Sequence, residues 1–400
     1  MQNRANTSGR VAVGLVLGTI LIAAGSASAV EFAIVGPRAV GMGGAGVAVT
    51  TDALATYWNP AGLAMQNSVD IRVQGSGQLT DRLGVADTLT DINKIATTAA
   101  DLAELTNNLN RLNGLLNRLN APGASVSAAG AAGIYLKGYF GDQVFGFNVS
   151  DVATGGLFVP APLTSSCTSP GGVGGCTPGG SFTLSVNGQV AINGLEARQA
   201  GFSYAYAFQE RTISVGATVK IIQGAAYSAR ANVQGSEGDL GFTSDLGRAK
   251  ISTAIGIDAG AIYRPSSWLR FGLVGKDLNQ PSFDAPNGQE FKLLPQVRGG
   301  VAVNPYSSLT LAFDGDITSN KTLIPGIKSR VLSLGAEQTL LAEFLSLRLG
   351  ALKNTEDANS KITPTAGLGI RFFALRVDIG GGYDFAERQA LASGSVSFTF

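Results

Sequence analysis

The stretch 391–400 reads LASGSVSFTF, and its side chains alternate strictly in kind. Ala392, Gly394, Val396, Phe398 and Phe400 fall on one face; Ser393, Ser395, Ser397 and Thr399 fall on the other. That is the two-residue period of a β-strand, apolar on one side and polar on the other. The same alternation returns in 212–222, 307–317, 344–353 and 375–385. Fourteen such segments can be drawn: 69–78, 131–140, 143–152, 197–208, 212–222, 251–263, 268–277, 295–304, 307–317, 329–340, 344–353, 362–372, 375–385 and 391–400. Most have the roughly 9–11 residues that a tilted strand needs to cross a bilayer. Tight connections (Gly141-Asp142, Gln209 to Arg211, Arg264 to Ser267, Pro305-Tyr306, Leu341 to Glu343, Phe373-Ala374) alternate with mostly longer ones, among them 79–130 and 153–196. Short periplasmic turns and long outer loops are the pattern of bacterial outer-membrane barrels. The expected fold is therefore all-β: a transmembrane antiparallel β-barrel of about 14 strands spanning 69–400. Phe182 to Asn193 also looks strand-like and is expected as an extension above the membrane.

Composition narrows the function. The chain has 400 residues, 54 glycines, two cysteines and no histidine, and only 14% of it is charged. Ordinary soluble domains carry about 25% charged residues. Without histidine, Ser-His-Asp and Cys-His catalysis, imidazole metal sites and histidine bases are all excluded. No enzyme, cofactor or metal is expected. A net charge of +1 gives no basic excess for nucleic acid. Aromatic residues beside the tight turns, such as Tyr139, Phe208, Trp268, Tyr306, Phe372 and Phe400, fit a girdle at the membrane interface.

Parity assigns the lumen. Arg270, Arg298, Asp314, Asp316, Glu337, Arg348, Arg376 and Asp378 all fall on the polar faces, together with Lys220, Asp258, Lys276 and Arg371. A three-residue turn after Asn304 predicts Arg298 opposite Asp314, and a four-residue turn after Leu340 predicts Glu337 opposite Arg348. Opposite charges across strands stabilise a pair by about 0.2–1 kcal/mol. Such a wall can filter a solute, hold a plug, or simply neutralise itself.

The N-terminus reads as an export signal. Arg4 and Arg10 precede the uncharged run Val11 to Ala24, and Ala27-Ser28-Ala29 supplies a small-x-small cleavage site. Cleavage after Ala29 removes two arginines and takes the net charge from +1 to −1. The expected location is the outer membrane of a Gram-negative bacterium.

Residues 36–64 read GPRAVGMGGAGVAVTTDALATYWNPAGLA. Gly41-x-Gly43-x-x-Gly46 matches a dinucleotide fingerprint literally, but the following helix and the acidic residue about 20 positions on are missing. Arg38, Gly41, Gly43, Gly44 and Gly46, then Asp52-Ala53, then Asn59-Pro60-Ala61-Gly62 after Tyr57-Trp58, resemble the amino-terminal hatch of the FadL superfamily. That group holds transporters of long-chain fatty acids and other hydrophobic compounds, PorV-like secretion barrels and conjugal-transfer TraF-like proteins. Leu334-Gly335-Ala336-Glu337 and Phe344 to Lys353 resemble the PorV-like and TraF-like members more. The resemblance implies fourteen strands, a hatch at 30–68 inside the lumen and, in transporters, lateral release of ligand. Against simple fatty-acid transport, the alternation shows no compact apolar lumen pocket.

Two loops stand out. In 86–120 apolar residues recur every three or four positions (Leu105, Leu109, Leu112, Leu116, Leu119), the spacing of a helix. This extracellular insert either binds a partner or packs over the barrel mouth. In the Gly/Pro-rich loop 153–196, Cys167 and Cys176 read as one disulfide in an exported chain. Two functions remain open: passive uptake of a hydrophobic small molecule gated by the hatch, or a barrel component of a conjugation or secretion apparatus presenting a surface to partner proteins. Barrel enzymes that use a Ser-His pair are excluded. Either way the partners include outer-membrane lipid, and the barrel-assembly machinery through the strand ending at Phe400.

Overall fold

The computed structural model describes residues 33–400 except 97, 100, 169–181, 234–247, 287, 289, 358–359 and 386–387. The export-signal reading and Cys176 lie outside the described residues.

Fourteen antiparallel strands close into one barrel. They are β1 Asp70–Arg82, β2 Ser125–Phe140, β3 Gln143–Phe158, β4 Gln189–Phe208, β5 Ile213–Asn232, β6 Lys250–Ser266 and β7 Leu269–Lys276. The circuit continues with β8 Gln296–Tyr306, β9 Leu309–Asp316, β10 Val331–Leu340, β11 Leu345–Asn354, β12 Thr363–Phe372, β13 Leu375–Asp384 and β14 Gln389–Thr399. Each strand pairs with its sequence neighbours, and β1 closes on β14 from Asp70↔Thr399 to Leu79↔Ala390. Val69 and Phe400 exchange main-chain hydrogen bonds of 3.0 and 2.9 Å at the rim of that seam. Closure leaves no unpaired edge, the condition for crossing hydrocarbon with strands.

Outward side chains form a continuous apolar belt. Ile71, Val73, Ile134, Phe147, Phe202, Val219, Ile255, Leu273, Phe313, Leu334, Leu349, Ile379 and Phe398 are all exposed on it. Exposed apolar area on this scale is stable only against lipid. Trp268, Tyr306, Phe344, Phe372 and Phe373 stand exposed beside the tight turns.

Two expectations need correction. β8 continues through a bulge at Asn304-Pro305 to Tyr306, which pairs with Leu309, so the turn is Ser307-Ser308. The later turn and the single extra residue of the bulge together leave the register two residues from that expectation, and Arg298 faces Asp316 rather than Asp314. Phe182 to Asn193 is not one extension. Phe182–Asn187 joins Thr98–Ala99 and Thr164–Thr168 in a small separate sheet, whereas β4 starts at Gln189. β2 to β5 also run longer than the alternation indicates, because their far ends pair with one another instead of facing lipid.

The rim opposite the tight turns carries two helices, α3 Val85–Ile92 and α4 Leu102–Leu119 (α1 and α2 belong to the plug described below). Asp101 caps α4 by accepting a 2.8 Å hydrogen bond from Glu104 N. The apolar faces of the pair are buried. Val85, Leu89, Ile92, Leu112, Leu115, Leu116 and Leu119 pack with Val126, Leu163, Val186 and Val190 at the strand ends. Of the apolar positions on α4, Leu102 is half exposed. Cys167 is disulfide-bonded.

Candidate functional site

The segment 33–65 lies inside the barrel, almost wholly buried, and forms a plug that leads through the rim residues 66–69 to β1. Pro37 opens α1 (Pro37–Gly41), where its missing N–H costs nothing. Gly43 and Gly44 then turn the chain with φ of 67° and 88°, a left-handed region that favours glycine. A loop leads to α2, Ala55–Trp58. The Trp58 side chain is fully buried, and its Nε1 donates to Val35 O at 2.8 Å. A 3-10 turn, Pro60–Met65, follows and leads to β1.

Asn59 caps that turn and ties it to the wall. Its Oδ1 accepts from Ala61 N at 3.1 Å. Its Nδ2 donates to Val47 O of the plug at 3.2 Å, and lies 3.3 and 3.4 Å from Ala261 O and Leu273 O on β6 and β7. Pro60 and Ala61 rest against Gly216 on β5, and Ser214 Oγ donates to Ala61 O at 2.7 Å. A Cβ on Gly62 would collide with Thr50 O, and one on Gly46 with the Trp58 ring.

Three charged groups line the wall, and two of them grip the plug. In the first, Arg38 reaches Glu337 at 2.6 Å and donates to Val49 O at 2.9 Å. Glu337 also holds Arg348 at 2.6 Å, and Arg348 holds Asp378 at 2.8 Å. Asp378 holds Arg376 at 2.9 Å, while Arg72 holds Asp52 of the plug at 2.9 Å. Desolvation opposes the charge on Asp52, but Arg72 and Arg38 more than offset it and lower its pKa. In the second group, Arg298 meets Asp316 at 3.2 Å and donates to Gly44 O at 3.1 Å and Ser333 Oγ at 2.7 Å. Asp314 lies 3.8 Å from Arg298 and accepts from Gly46 N at 2.7 Å and Val47 N at 2.8 Å. The third group, Lys220 with Asp258 at 2.9 Å and Asp277 at 2.8 Å, pairs with itself. Beside it, Lys276 Nζ lies 3.2 Å from the Tyr57 ring centroid, a cation–π contact.

Arg38, Gly41, Gly43, Gly44, Gly46 and Asn59 to Gly62 are thus gathered in the plug. Arg298, Asp314, Asp316, Glu337, Arg348, Arg376 and Asp378 surround it. Arg270 is apart from both groups, half-buried near the tight turns. Arg371 stands at the rim with Glu343, 2.7 Å away.

The strand pattern read alone missed several wall residues that hold the plug. Lys137 Nζ donates to Gln66 O, just beyond the plug, at 2.7 Å, and Thr365 Oγ1 accepts from Gly43 N at 2.9 Å. Asp70 accepts from Ala53 N at 2.9 Å. Alternation in β1, where Asp70, Arg72 and Gln74 interleave with Ile71 and Val73, was the available signal.

Four cross-strand glycine pairs were also missed: Gly216↔Gly260, Gly272↔Gly300, Gly335↔Gly350 and Gly367↔Gly380. Each lies under a plug segment: Asn59 to Ala61, Val47-Ala48, Met42-Gly43, and Pro37 with Gly41 respectively. A side chain on any of these wall positions would strike plug backbone or an anchoring side chain. The inward-facing glycines are therefore seats for the plug.

Comparison with known proteins places this geometry. No curated protein sequence matches. Among solved structures, the CymD monoaromatic hydrocarbon channel superposes with TM-score 0.55 at 15% identity, over 91% of this chain and 97% of that one. A deltaS2S3 mutant of the TodX monoaromatic hydrocarbon channel gives 0.52 at 13%, over 91% and 97%. The P. putida toluene transporter TodX gives 0.50 at 13%, over 91% and 96%. These likenesses show a FadL-like barrel fold. A family model described as F plasmid transfer operon, TraF, protein matches residues 56–316, from the plug's second helix through β9. The chain accordingly belongs to the TraF protein family of the F plasmid transfer operon, carried on a FadL-like barrel.

Proposed function

We propose that this barrel admits hydrophobic compounds, long-chain fatty acids among them, passively across the outer membrane, with the plug as the gate. The observation that carries this reading is how the plug is held. No covalent cross-link appears among the described plug residues. The grip consists of ion pairs to plug side chains, Arg38 with Glu337 and Asp52 with Arg72, and hydrogen bonds to plug main-chain groups, such as those Asp314 accepts from Gly46 and Val47. Contacts of this kind can be exchanged locally, so 41–49 can shift while the barrel stays closed. The likeness to hydrocarbon channels supports the same reading. The helix-bearing rim faces outward and the tight turns face the periplasm.

The test is uptake of a labelled long-chain fatty acid and of toluene by cells carrying the barrel, beside planar-bilayer conductance. Wild type should take up label above the empty-vector level and conduct little. Asp314→Asn removes the charge that receives two plug N–H groups and should raise conductance several-fold. Uptake no better than the empty vector would sink the reading.

A second reading rests on the family description: a barrel component of a conjugation apparatus. It predicts a stoichiometric protein partner on gentle extraction and no bound hydrophobe.

A further inference from the structure

At the rim opposite the tight turns, the outward face of four neighbouring strands changes character at one level. From β9 the exposed parity runs Phe313, Ile317, Lys321; into β10 it runs Lys328, Arg330, Leu332, Leu334. On β11 it runs Leu347, Leu349, Lys353, and ahead of β12 it holds Ile362. The face is aliphatic below and carries four exposed cations at its upper edge.

Register sets those cations side by side. Lys321 and Lys328 are directly opposite in the small ladder that joins β9 to β10, with Cβ atoms about 5 Å apart. Arg330 follows Lys328 on the same face, about 7 Å along the chain. Leu332 pairs with Lys353 and Thr355 N donates to Arg330 O, so Lys353 stands diagonally from Arg330, about 7–8 Å away. The other side of the hairpin is fixed to the mouth: Asn320 and Ser329 are buried, and Ile324 packs on Gly156 of β3. The two lysines therefore look away from the lumen.

None of the four makes an ion pair among the described residues. Other cations of this rim do: Lys250 with Asp284 at 3.0 Å, Lys292 with Glu290 at 2.9 Å, Arg82 with Asp357 at 2.9 Å. Arg330 Nε donates to a main-chain oxygen, Asp316 O, at 3.1 Å. Glu356, the nearest unpaired acid in sequence, falls with Asn354 on the opposite parity. Like charges directly opposite on a sheet destabilise it, a cost that an anion lying across them removes. Guanidinium and ammonium groups both bind phosphate. Phosphate at the edge and hydrocarbon on the wall beneath it describe one ligand class, an acylated phosphate.

We propose that Lys321, Lys328, Arg330 and Lys353 form a docking surface for lipid A, the phosphorylated, acylated saccharide of the outer leaflet, whose chains lie along Leu332, Leu334 and Ile362. The surface is independent of what passes through the lumen. It rests on the helix-bearing rim facing outward.

The purified full-length barrel in neutral detergent is titrated with diphosphoryl lipid A, monophosphoryl lipid A and phosphatidylglycerol, and bound lipid is counted by native mass spectrometry. Wild type is compared with Lys321→Gln/Lys328→Gln, Arg330→Gln and Arg330→Lys. Lys250→Gln/Lys292→Gln, on the neighbouring hairpin, is the control, and heat-modifiable migration identifies folded variants. Each lost cation should cost about fivefold in affinity, the scale of one Lys or Arg at an anionic membrane surface, and the lysine double variant about 25-fold. Removing one phosphate should weaken wild-type binding, Arg330→Lys should keep most of it, and the control should match wild type. Equal binding by wild type and the lysine double variant would refute the surface. Phosphatidylglycerol bound as tightly as lipid A would overturn the saccharide assignment. An acidic protein that co-purifies in place of lipid A, and is lost in the lysine double variant, would replace the lipid with a protein partner. An epitope tag between Pro325 and Gly326 that is reached only in permeabilised cells would place the surface away from lipid A and end the proposal. Failed uptake of hydrophobic compounds would leave it standing.

Discussion

Arg348 has no exposed side-chain surface and stands between Glu337 and Asp378. Its removal would leave Glu337 to Arg38 and Asp378 to Arg376, beside a gap, so the cost stays below the penalty of about 3–5 kcal/mol for stranding a buried charge wholly unpaired. Arg348→Ala should therefore lose its folded, heat-modifiable band at clearly lower urea than wild type. An unchanged midpoint would mean that the network is not fixed in this way. Gly350 makes a different point. A methyl group there would collide with the main chain of Met42 and Gly43, whereas one on Gly77 meets nothing within 4 Å. Gly350→Ala should expose the plug to limited proteolysis and leave the barrel heat-modifiable, while Gly77→Ala should match wild type. Equal protease resistance in the two would contradict the seating role. At this scale the sequence was legible in part. Alternation separates wall faces, but it says nothing about partners. Asp314 serves Gly46 and Val47, which lie 268 and 267 residues away, and no local pattern encodes that meeting. The paired glycines looked like weak strand residues because the object they accommodate comes from another part of the chain.

Strand membership was readable because lipid imposes it. Every second residue must be apolar, and a slip of one residue would turn a whole face the wrong way. Strand ends and bulges were harder. The turn at Ser307-Ser308 together with the Asn304-Pro305 bulge sets Arg298 opposite Asp316, and β2 to β5 lengthen where pairing with neighbours takes over from contact with lipid. Asn304 and Pro305 are turn-forming residues, so placing the turn at 305–307 was reasonable; only the pairing of Tyr306 with Leu309 shows otherwise. The helical period of 86–120 was plain, but its covering by Val126, Leu163 and Val186 depends on strand ends brought together by barrel closure. The lipid-facing side of β14 supports a direct test. Phe398 is 45% exposed and stands opposite Ile71 across the seam. Phe398→Asp puts a charge on that face near the tight-turn interface, at a cost of up to about 1 kcal/mol. Less of it should reach the heat-modifiable form, and normal assembly would contradict a lipid-facing Phe398.

Across the whole molecule, one rim carries the tight turns and the opposite rim carries α3, α4 and the accessory sheets. If the helix-bearing rim faces outward, an epitope tag between α3 and α4 should be accessible on intact cells. Labelling only after permeabilisation would invert the orientation. The reach of the plug's contacts has a further consequence. Arg38 meets Glu337 across 299 positions, and Gly43 meets Thr365 across 322. The Arg38 to Gly43 part of the plug therefore lacks these partners until nearly all of the chain exists, whereas Asn59 to Ala61 meets Ser214 and Gly216 much earlier. The plug leads through 66–69 into β1, half of the closing seam, where Asp70 accepts from both Ala53 N and Thr399 Oγ1. A plug arriving after closure would have to thread past completed walls, so the last hairpins must wrap around a segment already in position. Biogenesis then resembles casting around a core: a chain stalled before β10 would hold the core and the walls that seat Val47 and Asn59 to Ala61, but lack the part of the mould that grips Arg38 to Gly43.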